Sequence, residues 1–279
     1  MIHKSYEWKG KDGIRLYGQS WLPEGNAHAI INYIHGFKDH SDRFAHWAER
    51  LTAHGYGIAA IDLRGHGRSE GKRGYAPGFH SYLDDVAVLM EQSVNMFGKC
   101  TYFLYGHSLG GNIVANYLIS DNLLPSAAII SSPWFKLTLQ PSMMEMFMAQ
   151  VLRRILPGVS VASNLDVESL SRNKAVVKNY LNDPMVHNLI RPKLFMEIEF
   201  NGLKASRNIY KINVPLLVMH GTADRITSIR QTRSFVMNAS RQTTYKEWPD
   251  AYHELHNDII EQEVFDFVLG WLNNQSNNG

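Results

Sequence analysis

The sequence predicts an α/β domain: a mostly parallel sheet, covered by helices on both faces, with a helical insertion. Three observations predict it. Short branched apolar runs alternate with segments of helical period, the pattern of strand–helix units that bury both faces of a sheet. That rhythm stops near Pro133 and resumes at the run 214–221. Before the break, a Gly-x-Ser-x-Gly segment falls where a strand turns into a helix.

The elements follow in order. Residues 5–22 alternate around KGKDG and read as an N-terminal hairpin. AIINYIHG (29–36) is a buried strand. Phe44, Trp47, Ala48 and Leu51 lie at i, i+3, i+4 and i+7 and mark a helix, with Ser41 as its expected N-cap. YGIAAID (56–62) is the next strand, and Tyr82, Leu83, Val86, Leu89, Met90 and Val94 trace one helix face. TYFLYG (101–106), a helix over 109–120 and the strand SAAIIS (126–131) follow. Residues 134–205 carry no clear strand and are expected to form a helical cap inserted into a core of residues 1–133 and 206–279. VPLLVMHG (214–221), a helix, the strand TTYKEWP and a final helix over about 257–272 complete the core, with the tail NNQSNNG frayed.

Bulk properties narrow the function class. A chain of 279 residues that is 44% hydrophobic buries a full core. A net charge of +2 without a long basic run gives nucleic acid nothing to bind. The single cysteine, Cys100, forms no internal disulfide and fits a reducing compartment. No signal-like apolar region opens the chain, and no uncharged apolar run reaches the ~18 residues of a membrane span. A cytoplasmic protein is expected, one able to touch a membrane surface.

The chemistry centres on LYGHSLGG (104–111). A serine on so sharp a turn is strained, and side chains two residues before and after it would collide, which explains Gly106 and Gly110. The turn exposes the Ser108 hydroxyl and aims the Leu109 amide at the same space. A hydroxyl needs a base, and the base needs an orienting acid, in the chain order serine, acid, histidine. Asp224 follows the C-terminal end of the strand 214–221, the edge where open α/β sheets place their sites. Asp250, nearer the histidines in sequence, is the rival acid. AYHELH (251–256) offers His253 and His256; His253 comes first after the strand and is the expected base. His35-Gly36 follows the strand 29–36, so the Phe37 amide is expected to face Ser108 and complete an oxyanion hole with Leu109.

These pieces resemble a known family. HGFKDHSDRF, GYGIAAIDLRGHGRSEG, GHSLGG, the Asp-Pro at 183–184, HGTADRIT and AYHELHND are similar to segments of the α/β-hydrolase-fold serine hydrolases, in particular the monoacylglycerol lipase and lysophospholipase group. The resemblance implies a twisted, mostly parallel sheet flanked by helices with an inserted cap. It implies a serine esterase acting on monoacylglycerols through an acyl-enzyme, without cofactor or metal. The alternatives are a lysophospholipase or a broad carboxylesterase, and beyond these a non-catalytic ligand-binding relative. It assigns Asp62 and Arg64 to shaping a loop. It also implies a head-group pocket formed by Asp39, Arg43 and His256, with Asp39 standing where a glutamate is usual; a surface pair beside a helix and a helix-capping histidine are the alternative.

The Met-rich stretch of the insertion, with Met143, Met144, Met146, Phe147 and Met148, suits either a lid over an acyl chain or a helix packed on the core. Met144, Phe147 and Met148 are the acyl-chain candidates, and Arg153 and Arg154 could meet anionic head groups. Other chemistries fail on spacing. HELH lacks the His-Glu-x-x-His spacing of zinc proteases, and no phosphate-binding or dinucleotide-binding glycine motif occurs.

Overall fold

A computed structural model of the chain describes residues 1–120, 123–140, 142, 144, 151, 160–163 and 165–276. Eight strands form one sheet in the order β1 (Ile2–Lys9), β2 (Arg15–Leu22), β4 (Tyr56–Ile61), β3 (Ala29–Ile34), β5 (Thr101–His107), β6 (Ala127–Ser131), β9 (Leu216–Gly221) and β10 (Thr243–Trp248). The hairpin β1–β2 is antiparallel and joins β4 antiparallel; every other neighbour pair is parallel. β1 starts at Ile2, earlier than the alternation suggests.

The strands β3, β4, β6 and β9 are buried at every residue, because helices cover both faces. On one face α1 (Ala45–Ala53) and α7 (Glu261–Ser276) bury Trp47, Leu51, Val264 and Val268 against Ile31, Ile58 and Phe103. On the other, α2 (His80–Phe97), α3 (Leu109–Ile119) and α6 (Ile229–Val236) bury Val86, Leu89, Ile113 and Phe235 against Ile30 and Leu104.

Some local expectations change. Ser41 does not cap α1: it opens a 3-10 turn, Ser41–Phe44, and its hydroxyl donates to Asp62 Oδ1 at 2.6 Å. The last helix starts at Glu261 after a separate 3-10 turn, Leu255–Asn257, and extends to Ser276, into the stretch expected to fray.

The segment expected to be strandless holds two two-residue strands, β7 (Val161–Ala162) and β8 (Leu189–Ile190), paired antiparallel. Strands this short leave no alternation to read. The segment also holds α4 (Lys174–Leu181), started by Asn173, whose side chain accepts from the Ala175 amide at 3.1 Å. Next comes α5 (Pro192–Asn208), which runs across the expected boundary at 205. α5 seats on α3 through Asn112, whose amide donates to the carbonyls of Trp134 at 2.8 Å and Ile198 at 2.9 Å. Gly202 permits the approach: a Cβ there would lie 2.3 Å from the Phe135 carbonyl oxygen.

Candidate active site

Ser108 joins β5 to α3 with φ +54° and ψ −113°, a left-handed conformation costly for a residue with a side chain. Its neighbours hold it there. The Ser108 amide donates to Ser131 O at 2.9 Å, and its carbonyl accepts from Trp134 N at 2.9 Å. A Cβ on Gly106 would lie 2.3 Å from Gly110 O, and one on Gly110 would lie 2.2 Å from Ile34 O. Both glycines are therefore required by contact with backbone that cannot move aside, as the sequence argument expects.

Asp224 lies on the loop after β9, buried, with each carboxylate oxygen engaged. Oδ1 accepts the Ile226 amide at 2.7 Å and the Thr227 amide at 2.9 Å; Oδ2 accepts the Thr227 hydroxyl at 2.9 Å. Oδ2 also meets His253 Nδ1 at 2.7 Å and His220 Nε2 at 3.1 Å. Burial would push this carboxyl up, but His253 and the donors around it outweigh burial and hold it far below the ordinary range. An ionised Asp224 only accepts, so His253 carries its proton on Nδ1 and leaves Nε2 bare as a base. Asp250 is instead exposed in the turn after β10, at φ +57°.

His253 stands beside the serine turn, its ring 4.8 Å from that of His107. Among the described residues the Ser108 hydroxyl makes no hydrogen bond. From the other side, the loop after β3 comes against the serine: a Cβ on Gly36 would lie 3.2 Å from Ser108 Cβ. His35 fixes that loop by donating from Nδ1 to Gly36 O at 2.7 Å and accepting the Leu63 amide on Nε2 at 2.9 Å. Neither the Phe37 nor the Leu109 amide donates to another described residue. The Phe37 ring packs away among His66, Trp134 and His187.

Asp39 and Arg43 form a pair, Nη1 to Oδ1 at 3.0 Å, but their third partner is Glu254. The Arg43 guanidinium grips both Glu254 oxygens at 2.8 and 2.7 Å and lies 4.8 Å over the Tyr180 ring. Burial would raise the Asp39 carboxyl; Arg43, His35, His40 and His107 together outweigh it and hold the group well below its usual value. His256 makes no hydrogen bond through its ring. It is enclosed by Phe44, Trp47 and His107, with both nitrogens buried and unpaired, and burial pushes it down to about 4. His256, expected beside Asp39 and Arg43, is thus enclosed by aromatic rings, while Arg43 pairs with Glu254, an acid that the sequence reading passed over.

Asp62 and Arg64 take the structural places expected of them. Asp62 Oδ1 accepts the Ser41 amide and Oδ2 the Arg68 amide, each at 2.8 Å. Arg64 is held by Asp85 at 2.8 and 2.6 Å and by Asp12 at 2.6 Å. Of the acyl-chain candidates, Met144 is exposed; Phe147 and Met148 lie outside the described residues, as do Met143, Met146, Arg153 and Arg154.

Residues 25–260 match the family model described as "Serine aminopeptidase, S33". The chain belongs to the serine aminopeptidase S33 family. Within it the likeness is to monoacylglycerol lipases. A monoacylglycerol lipase of Mycolicibacterium smegmatis is 31% identical, with 96% of each chain covered. A human monoglyceride lipase is 29% identical over 95% of this chain and 89% of its own length. The crystal structure of the Paleococcus ferrophilus monoacylglycerol lipase superposes with a TM-score of 0.80 at 30% identity, covering 99% of this chain and all of that one. By contrast, the chain spans only 28% of the length of a 28% identical abhydrolase domain-containing protein of Dictyostelium discoideum. This S33-family chain is a monoacylglycerol lipase-like α/β-hydrolase and a carboxylic ester hydrolase.

Beyond the triad candidates, sequence reasoning missed three supports: His220, Thr227 and Glu254. His220 donates from Nε2 to Thr227 O at 3.2 Å and faces Asp224, while its Nδ1 accepts the Thr232 hydroxyl at 2.9 Å. His220 and Thr227 flank Asp224 in HGTADRIT, so proximity to the acid was the available signal. Glu254 had none, since its partner lies 211 residues away.

Proposed function

We propose that the chain hydrolyses monoacylglycerols to fatty acid and glycerol through a covalent acyl-enzyme. The observation that carries this is the Asp224–His253 contact of 2.7 Å beside a serine held at φ +54°. Ser108 Oγ attacks the ester carbonyl while His253 Nε2 takes the hydroxyl proton. The carbonyl oxygen becomes an oxyanion, received by the unengaged amides of Phe37 and Leu109. The intermediate collapses, the acyl–oxygen bond breaks, and His253 returns the proton to the departing glycerol oxygen. Water then attacks the acyl-enzyme by the same route, releasing the acid and restoring Ser108. Asp224 keeps its charge throughout and stabilises the imidazolium.

Asp39 and Arg43 offer an acceptor and a donor to glycerol hydroxyls, with Glu254 holding the arginine in place. The segment 134–205 acts as a cap over the acyl chain, and exposed Met144 supports contact with a lipid surface. The single cysteine supports a reducing, cytoplasmic location. A panel of monoacylglycerol, diacylglycerol, lysophospholipid and p-nitrophenyl esters tests the substrate. The highest kcat/KM is expected on monoacylglycerol; a higher value on lysophospholipid would assign the enzyme to that class instead.

A further inference from the structure

Lys38 follows Phe37 in the loop that faces Ser108, and three features set it apart. Its φ is +62°, a conformation that suits glycine and strains any residue with a side chain. Its side chain is buried, only 4% of the residue being exposed. Its ammonium has no carboxylate partner among the described residues; Nζ donates to the carbonyl of Ser163, just after β7, at 2.9 Å. Strain and a buried charge both cost stability. A residue kept at that cost is doing something the fold alone does not need.

The same short loop is gripped at neighbouring points. The Tyr180 hydroxyl of α4 donates to the Lys38 carbonyl at 3.2 Å. His40 Nε2 meets Asp183 at 2.8 Å, and Arg43 lies over the Tyr180 ring. Every one of these partners belongs to the inserted segment 134–205. The core fixes the loop's two ends, through His35 on one side and through Ser41 on Asp62 on the other, while Lys38 and His40 between them are held by the insertion.

We infer that Lys38 is a positioning residue for the oxyanion hole: by tying its own loop to the Ser163 carbonyl it holds the Phe37 amide at Ser108, so that the insertion sets the geometry of the hole. The inference rests on the assignment of the Phe37 amide to that hole. Burial lowers the Lys38 ammonium to about 8, in keeping with a cation that has no acid beside it. Tyr180 acts in the same sense, from the carbonyl side of the same residue.

The test uses p-nitrophenyl butyrate, which has no glycerol to recognise, and reads kcat, KM, melting temperature and the rate of fluorophosphonate labelling. Lys38→Met removes the tie and is expected to lower kcat by about tenfold or more, part of the loss that follows removal of an oxyanion donor. KM stays within about twofold, because uniform binding is untouched. The melting temperature holds or rises, since a buried charge is gone. Lys38→Gly is expected to lower kcat alike while relieving the backbone strain, and Lys38→Arg, which still donates, to recover part of it. Tyr180→Phe, with its ring retained, gives a smaller loss in the same direction. An unchanged kcat in Lys38→Met overturns the inference, as does a kcat loss matched by a fall in melting temperature. A loss confined to KM on lysophospholipid overturns it too, making Lys38 a reader of anionic head groups. Failure of the wild-type protein to label at Ser108 would refute the active-site reading itself, before any Lys38 variant is compared.

Discussion

His253 keeps its proton on Nδ1 because its nearest partner there is an ionised carboxylate oxygen, 2.7 Å away, with the Thr227 hydroxyl farther off at 3.3 Å. That fixes a residue-scale prediction. Asp224→Asn offers an amide in place of the carboxylate and favours the wrong tautomer, so kcat is expected to fall about 10⁴-fold with little change in fold. His253→Ala should lose several orders of magnitude on every ester. His256→Ala should leave aryl-ester turnover nearly intact, because its ring bonds to nothing in the site. Steady-state kinetics on p-nitrophenyl butyrate separates the two; a dead His256→Ala with a live His253→Ala would reverse the assignment. A second residue-scale prediction concerns Glu254. With Glu254→Ala, Arg43 is left buried with only Asp39 to balance it, and urea unfolding should show a loss of roughly 3–5 kcal/mol. The nearness of Asp224 to His253 was legible because both follow strand ends that motifs mark. The Arg43–Glu254 pair was not, because no local pattern links residues on separate loops. The surroundings of His256 were not legible either, because a spacing of three says nothing about what encloses the second ring, here Phe44, Trp47 and His107.

At the scale of elements, the turn from β5 into α3 depends on two glycines pressed against backbone. Gly110→Ala would drive a methyl to 2.2 Å from Ile34 O, a contact no rotamer relieves. The expected cost is about 2 kcal/mol or more, with labelling of Ser108 lost in parallel; melting temperature and labelling rate check both. An alanine enzyme as stable and as reactive as the parent would mean the turn is looser than these distances imply. The sheet was legible because buried parallel strands are short unbroken apolar runs, as in β3, β4 and β9. The segment 134–205, expected as an insertion, stood out in the sequence only as a break in rhythm. Its strands have two residues each, and α5 is ordered by Gly202 and Asn112 meeting partners that the sequence does not reveal. Helix starts drifted for a similar reason: Ser41 looked like a cap, but Asp62 on another loop claims its hydroxyl.

Over the whole molecule, buried histidines set the response to acid. His66 and His107 are pushed well below their ordinary value, and His256 and His187 down to about 4, burial being the first cause in each. The unfolded chain takes up these protons near 6.5, so between about 6.5 and 4 it binds more protons than the folded one, and stability falls as pH falls. Asp39, Asp224 and Glu254 have depressed values, so their contribution is present above about 4 and drains away only below it. The melting temperature is therefore expected to decline from pH 7 to pH 5, before any of these carboxylates titrates; a flat profile over that range would contradict the burial of the histidines. The central claim, that Ser108 is a nucleophile activated by His253 and Asp224, is tested most directly by intact-protein mass spectrometry after fluorophosphonate treatment. The account predicts one adduct per chain, located on Ser108, absent in Ser108→Ala and formed far more slowly in His253→Ala. An adduct that persists in Ser108→Ala, or that forms at the parental rate without His253, would contradict it.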